Sequence, residues 1–179
     1  MSNNKHIELA RQAVETYIKT GKIIPVPTNM PKEFYTAKAG VFVTIFKKDK
    51  LGGERLRGCI GTYLPTQKNL VCEIISNAVS AASKDYRFGV ITKEELPDLE
   101  YEVSILNPLE QIKNLKELDP KKYGVLVKSI DGRSGLLLPD IKGIKTPAQQ
   151  IAVACQKGEI NPELDNIIIY RFTVEKYRE

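Results

Sequence analysis

Apolar residues recur at three- and four-residue spacing in two stretches of the chain, and this period is typical of amphipathic helices. The first stretch predicts a helix over residues 4–20, capped at its start by Asn3 or Asn4. The second stretch predicts a helix over residues 67–83. A third helix is indicated from residue 146 on, because a threonine followed by proline is a frequent helix start.

Other stretches are rich in β-branched residues or alternate between apolar and polar residues, and both patterns predict strands. Residues 41–46 are followed by a Gly-Gly turn and a return over residues 55–61, so we expect an antiparallel hairpin. A further strand covers residues 101–105, and an Asp-Gly turn at residue 131 predicts a second hairpin. Residues 167–175 alternate without a break and predict one long final strand.

The return strand of the first hairpin holds the most unusual residues of the chain. Alternation directs Leu56 and Ile60 to one face, which we expect to be the core. Arg57 and Cys59 then share the opposite face, about 7 Å apart along the strand. Glycines lie between them and after them, which predicts a close approach of some other group to the backbone.

The strand pattern also predicts how the chain divides. Asn107-Pro108 ends the strand over residues 101–105 and is the candidate boundary. Residues 108–165 hold their own hairpin and helix and form a smaller unit. The long final strand can rejoin the first sheet, so the larger unit comprises residues 1–107 together with residues 166–179.

Charge and composition narrow the function classes. The chain has 179 residues and a net charge of +5, and its basic residues are spread along the sequence. A nucleic-acid-binding protein usually concentrates them on one face, so nucleic acid is not an expected partner. No apolar run approaches the roughly 20 residues of a membrane span, and the first residues lack a signal-peptide core. We therefore expect a cytoplasmic protein that does not associate with membranes.

The cysteines and the single histidine limit the chemistry further. Cys59, Cys72 and Cys155 are odd in number and form no CxxC pair, so reduced thiols are expected. His6 is the only histidine, and we expect it to be exposed in the first helical turn. Neither a metal site of Cys and His ligands nor a Cys–His catalytic pair is predicted. The sequence predicts no cofactor.

Several blocks of the sequence together resemble the AMMECR family. The blocks are Leu56-Arg57-Gly58-Cys59-Ile60-Gly61-Thr62, Asp85-Tyr86-Arg87-Phe88, Glu94-Glu95-Leu96-Pro97, Glu102-Val103-Ser104-Ile105-Leu106, Gly135-Leu136-Leu137-Leu138-Pro139 and Cys155-Gln156-Lys157. The first block is the most specific, and the resemblance covers nearly the whole chain. One departure is that many relatives carry a tryptophan after the Leu-Pro block, whereas this chain has no tryptophan.

The resemblance implies an α+β fold of two subdomains, each an antiparallel sheet with helices, separated by a cleft that the signature block faces. It implies that the larger subdomain holds both chain termini and that the smaller one is inserted. No settled biochemical activity comes with the family. Its members occur alone, or fused or neighbouring to MEMO-like proteins and radical-SAM enzymes, which implies a partner of one of these kinds.

Three interpretations of the signature strand remain open. In the first, the protein is a binding or substrate-presenting module, and the arginines grip a carboxylate or phosphate. Its candidate binding residues are Arg57, Gly58, Gly61, Asp85, Arg87 and Glu102.

In the second interpretation, the protein is an enzyme that uses Cys59 as a nucleophile or redox thiol. Arg57 would favour the thiolate, whereas Asp85 or Glu102 would oppose it if close, and a carboxylate would serve as base toward a bound substrate. In the third, the glycines serve a bulge or a tight crossing, the cysteine is inert and the arginine forms a salt bridge.

Overall fold

A computed structural model describes residues 4–179 of the chain. Its α-helices and β-strands are, in order, α1 (Lys5–Thr20), α2 (Lys32–Thr36), β1 (Val41–Lys48), β2 (Glu54–Thr62), α3 (Leu70–Ser83), β3 (Leu99–Leu106), β4 (Glu110–Gln111), β5 (Gly124–Ser129), β6 (Ser134–Leu137), α4 (Pro147–Lys157), β7 (Ile167–Phe172) and β8 (Val174–Arg178). Short 3-10 helices cover Lys93–Asp98 and Leu115–Glu117.

Local signals explain where α1 begins and ends. The Asn4 side chain accepts a hydrogen bond from the His6 amide, which satisfies one of the free N–H groups of the first turn. Gly21 takes a left-handed conformation with φ of 73° and donates its N–H to Tyr17. The predicted helix is confirmed with Asn4 as its cap, whereas Asn3 lies outside the described residues.

The first sheet has the strand order β2-β1-β3-β8. β1 is antiparallel to both β2 and β3, which confirms the first predicted hairpin. Val41, Val43 and Ile45 are fully buried on one face of β1, and α3 packs against that strand and against α1. Because residues on β1 alternate, Thr44 lies on the other face. The two faces of this sheet therefore have different surroundings.

A bulge interrupts the pairing of β1 with β2. Ile45 pairs with Gly58, and the next residue of β1, Phe46, pairs with Leu56, so Arg57 is the extra residue. Alternation along β2 is broken at this point. Leu56, which we expected to face the core, is exposed, whereas Ile60 beyond the bulge packs against the core as predicted.

The chain divides into two compact units. The first contains the described residues up to Ile105 and residues 175–179, and the second contains residues 106–174. Within the second unit the strand order is β4-β7-β5-β6, all described pairs are antiparallel, and α4 packs against β5 and β6. Gly135 in β6 lies against the Ala154 carbonyl of α4, where a β-carbon would overlap it.

The final stretch of the chain differs from the prediction of one long strand. It forms two strands, and β7 pairs with β5 in the second sheet, with Tyr170 opposite Leu126. Only β8 joins the first sheet, beside β3. Residues 166–174 therefore belong to the second unit and not, as expected, to the larger one. The alternation continues from β7 into β8, so the period does not reveal that the chain changes sheets.

None of the helices described between residues 4 and 179 has the length and apolar character that a bilayer span requires.

The first turn of α1 lies against aromatic rings of the first unit. The His6 ring stacks on Tyr177 with centroids 3.8 Å apart, and its centroid lies 4.4 Å from that of Phe34. His6 is therefore half-buried rather than exposed as we expected. Burial lowers the pKa of His6 below its usual 6.5, although Glu175 and Glu33 oppose this effect. The neutral imidazole is thus favoured in the folded protein.

We expect this stack to make the stability depend on pH near neutrality. The unfolded chain binds a proton at His6 more readily than the folded chain, so the free energy of unfolding should fall as pH decreases through about 6.5. The substitution His6→Phe keeps an aromatic ring in the stack and should remove the part of this pH dependence that comes from the imidazole. Urea denaturation between about pH 5 and about pH 8 measures it. The carboxylates titrate in both proteins, so parallel stability curves would contradict the prediction.

Candidate functional site

The seven residues singled out from the sequence all lie in the first unit, six of them on or beside β2 and Glu102 on β3, two strands away. β2 is an edge strand, so among residues 4–179 no strand pairs with one side of its backbone. Free strand edges invite unwanted pairing, and proteins usually cover or interrupt them. Part of this edge is covered by the loop that follows α3.

Asp85 and Arg87 cover the edge at Cys59. The Asp85 carboxylate is only 2% exposed, and its Oδ2 accepts the Cys59 amide at 2.8 Å. Arg87 donates Nε to Oδ1 at 2.9 Å and Nη2 to Oδ2 at 2.7 Å. Nη2 also lies 3.3 Å from the Cys59 carbonyl oxygen, as donor to it. The pair therefore satisfies both outward-facing backbone groups of Cys59.

The turn after α3 places these two side chains. The Asp85 carbonyl accepts the amides of Phe88 and Gly89, both at 3.1 Å, and Gly89 has a φ of 71° that favours glycine. Hydrogen bonds from Arg87 lower the pKa of Asp85, and the Cys59 amide lowers it further against the effect of burial. Asp85 is thus held as a carboxylate that accepts hydrogen bonds.

The Cys59 thiol faces the side of the sheet opposite to the buried valines of β1. Its Sγ lies 3.3 Å from the Thr44 Oγ1, and Thr44 pairs with Glu102 on the next strand. Cys59, Thr44 and Glu102 form a row across three strands, which puts the Cα atoms of Cys59 and Glu102 about 10 Å apart. Glu102 is largely buried, with the Lys176 ammonium 3.9 Å away.

Arg57 does not share the surroundings of Cys59, contrary to the expectation from alternation. Its Nε and Nη2 bind the two carboxylate oxygens of Glu95, both at 2.9 Å. Its guanidinium also donates to the carbonyls of Gly89 and Val90 at 3.1 Å. The bulge redirects Arg57, so the guanidinium beside Cys59 belongs to Arg87. The thiolate-stabilising role expected of Arg57 therefore has no support in this geometry.

Glu95 is a central residue of this region that the sequence pattern did not single out. Besides the bidentate contact with Arg57, its carboxylate accepts Lys47 Nζ at 3.0 Å and the Thr92 amide at 3.0 Å. Its side chain is 14% exposed. Hydrogen bonds from Arg57 lower the pKa of Glu95 to about 2. Thr92 and Glu95 have the spacing of a capping box, which accounts for the backbone contact but does not indicate the arginine.

The signature glycines are required by packing inside the unit. A β-carbon on Gly58 would overlap the Ala81 carbonyl of α3, and one on Gly61 would overlap the Phe42 ring. The space that was expected to admit a ligand is therefore filled by the protein on these sides. This matches the interpretation in which the glycines permit a tight crossing.

A second buried carboxylate, also not singled out from the sequence, holds the loop that follows β2. Glu73 in α3 accepts the Thr62 hydroxyl at 2.8 Å and the amides of Thr66 and Gln67 at 2.8 and 2.7 Å. Burial would raise the pKa of Glu73, but these donors outweigh it and lower the pKa. The signal in the sequence that could have indicated this role is a single glutamate among the apolar residues of the predicted helix.

The solvent-accessible part of the region is basic and apolar. A cavity of about 370 Å³ is lined by Arg55, Leu56, Arg57, Arg87 and Phe88. The Arg87 side chain remains 47% exposed despite its bond to Asp85. Next to it, Tyr86 is 92% exposed, although its neighbours in sequence are held by the turn.

The three thiols have different surroundings. Cys59 and Cys72 are half-buried, and Cys155 in α4 is buried. Burial raises the pKa of Cys155. His6 is in contact with Phe34 and Tyr177, so the only histidine of the chain is committed to the aromatic stack described above.

We expect alkylation to separate the thiols in the folded protein. Cys155 should react with iodoacetamide much more slowly than Cys59 and Cys72, because it is shielded and its thiolate is disfavoured. Peptide mass spectrometry across pH measures the three rates, and unfolding in urea should make them similar. Fast native modification of Cys155 would contradict the structure. A Cys59 rate with a midpoint at or above about pH 8.5 would argue against a catalytic thiol.

Glu95→Gln should destabilise the protein by about 2–3 kcal/mol near neutral pH, because Arg57 loses its carboxylate partner. The contribution of Glu95 is present above its unfolded pKa of about 4.5 and is lost as pH falls through about 2. Denaturant unfolding measures the difference. Glu94→Gln is the matched control, since Glu94 is exposed and its substitution should have little effect. Equal destabilisation by the two changes would contradict this role.

Comparison with known proteins places the chain in a family. The AMMECR1 family model matches residues 7–177. A Thermotoga maritima protein is 44% identical over 99% of both chains. A Clostridium acetobutylicum protein is 38% identical over 97% of this chain, which spans 36% of that longer protein. The crystal structure of the uncharacterized protein PH0010 from Pyrococcus horikoshii has a TM-score of 0.85 and 36% identity, over 97% of this chain and 89% of that one. This chain therefore belongs to the AMMECR1 family.

Proposed function

We propose that the protein is a recognition module that binds an anionic group carried beside an apolar one. The binding surface comprises Arg55, Leu56, Arg87 and Phe88, and we call it the arginine surface. The observation that carries the proposal is the cavity of about 370 Å³ that these residues line together with Arg57.

Two of the three arginines at the cavity have donors to offer. Among the described residues, the hydrogen bonds of Arg87 start from its amide, Nε and Nη2, which leaves Nη1 for a ligand. Arg55 is exposed, and no carboxylate of the described chain forms an ion pair with it. Arg57 uses all its side-chain nitrogens internally and adds only its charge. We expected Arg57 and Arg87 to bind a carboxylate or phosphate, and we now propose Arg55 and Arg87 for this role.

Apolar residues beside the charges favour a ligand with a ring or an aliphatic group. The guanidinium carbon of Arg87 lies over the Phe88 ring, 5.2 Å from the ring centroid. Leu56 is exposed at the bulge, and Tyr86 extends into solvent beside them. A carboxylate or phosphate next to an apolar group matches this combination. Such a ligand would be a modified or acidic segment of a partner protein that the module presents.

The identity of the partner stays a prediction. The family resemblance implies MEMO-like or radical-SAM partners, and an acidic, apolar segment is the feature that the arginine surface would recognise in them. Because the surface is exposed, the electrostatic part of binding should weaken as salt concentration rises.

A catalytic role of Cys59 is the second candidate. The observation that favours it is the fixed backbone of Cys59, held from both sides by Asp85 and Arg87 while the thiol remains half-buried. Both polar partners act on the backbone and not as a proton acceptor for the thiol. The alkylation rates described above test this candidate.

Phenyl phosphate should bind the arginine surface more tightly than inorganic phosphate, because Phe88 adds an apolar contact. Two-dimensional NMR should show shifts at Leu56 and at the amides of residues 86–89. Arg55→Gln should weaken the binding of phenyl phosphate about 3- to 10-fold, which is the usual range for one exposed charge-assisted contact. Stability should not change, since Arg55 is exposed.

Lys50→Gln serves as the control, because it removes one charge from the same hairpin at an exposed position away from the cavity. It should leave phenyl phosphate binding unchanged. Shifts scattered over many lysines, or equal losses in the two variants, would show non-specific charge attraction and overturn the proposal.

A further inference from the structure

A second cavity, of about 280 Å³, lies in the first unit between the extended segment after α1 and the outer side of α3. Its apolar walls are Ile23, Ile24 and Val26 from the segment and Ile75 and Val79 from the helix. We call this cavity the α3 groove. None of its lining residues belongs to the arginine surface.

The segment that forms one wall is held in place. Ile24 is buried in the core, and prolines 25 and 27 restrict the backbone on either side of Val26. The Tyr35 hydroxyl donates to the Pro27 carbonyl at 2.7 Å. The groove is therefore preformed. Ile23 remains 62% exposed at the mouth of the groove.

Apart from Gln67, which precedes the helix, the polar residues of the groove lie along one side of α3, and Lys84 is the one cation among the described residues that line it. Cys72, Ser76 and Ser80 follow each other at four-residue spacing, and Lys84 continues the row just past the last turn. Side chains of a helix tilt toward its N-terminus, so the Lys84 stem is directed back toward Ser80. Lys84 is exposed, and no ion pair joins its ammonium to a carboxylate in residues 4–179.

Hydrogen bonds to the last carbonyls of α3 make the end of this helix less unfavourable for a negative group. A helix C-terminus carries partial negative charge on its last carbonyls, which would repel an anion. Here the Val79 carbonyl accepts the Ser83 hydroxyl at 2.7 Å, and the Ala82 carbonyl accepts the Ile91 amide at 2.9 Å. These donors reduce the repulsion, and Lys84 supplies the positive charge.

We propose that the α3 groove binds a medium-chain aliphatic carboxylate. The chain lies between Ile23 and Val26 on one side and Ile75 and Val79 on the other, and the carboxylate meets Lys84 and the Ser80 hydroxyl. At about 280 Å³ the groove lies just below the range of about 300–1,000 Å³ that is usual for drug-sized ligands, which favours a small ligand such as an acid of medium chain length. This site is independent of the arginine surface.

The alkylation rate of Cys72 reports whether a ligand occupies the α3 groove, because Cys72 is one of the residues that line it. Octanoate, used as the probe, should slow iodoacetamide modification of Cys72 while leaving the Cys59 rate unchanged. Lys84→Gln should weaken this protection about 3- to 10-fold for octanoate, and should leave protection by the neutral alcohol octanol unchanged. Lys93→Gln, an exposed change of equal charge in the same unit, should have no effect.

A blocking variant completes the test. Ser76→Phe places a ring in the groove from a half-buried position and should abolish protection by octanoate and octanol alike, and cooperative unfolding in urea checks that this variant is folded. Absence of protection in the wild-type protein would overturn the proposal. Equal protection of Cys59 would show a detergent-like effect on the whole protein and would also overturn it. Protection that is identical in Lys84→Gln would refute the carboxylate contact.

Discussion

The bond between the Asp85 carboxylate and the Cys59 amide closes the open edge of the first sheet, and the signature strand depends on it. Without this acceptor, the outward N–H of an edge strand would require water or another chain. Arg87 completes the arrangement, since it neutralises the carboxylate and covers the adjoining carbonyl. The family blocks around Cys59 and Asp85 are therefore two halves of one structural device. Any ligand chemistry at this edge is built on top of it.

A second carboxylate, Glu95, holds the charged side chains of the bulged part of the hairpin. It gathers Arg57 and Lys47, one from each strand of the hairpin, and ties them to the 3-10 helix before β3. Arg57 is thereby a structural residue, and the freer arginines are its neighbours in space. In this region the buried and half-buried carboxylates hold the backbone and the arginines beside it, whereas Arg55 is exposed to solvent.

Much of the fold could be predicted because the helix caps, the hairpin turn and the apolar periods are local signals. The partners of charged residues could not, because they depend on backbone geometry that periodicity does not encode. A single extra residue at Arg57 changes which face its side chain reaches. The passage of the chain from the second sheet to the first near Thr173 could not be predicted for a similar reason, because the alternation of β7 continues into β8 without a break. The roles of Glu73 and Glu95 could not be predicted either, because several of their hydrogen-bond donors are distant from them in the sequence and meet them only in the fold.

The route of the chain through the two units has a consequence for biosynthesis. The second unit contains every strand of its own sheet within residues 106–174, so its parts have all been made before the first unit is finished. The first unit must wait for β8, whose Tyr177 supplies the ring that stacks on His6 at the opposite end of the sequence. On the ribosome, the half that is synthesised first is therefore the half that closes last, and its sheet keeps β3 uncovered during that interval.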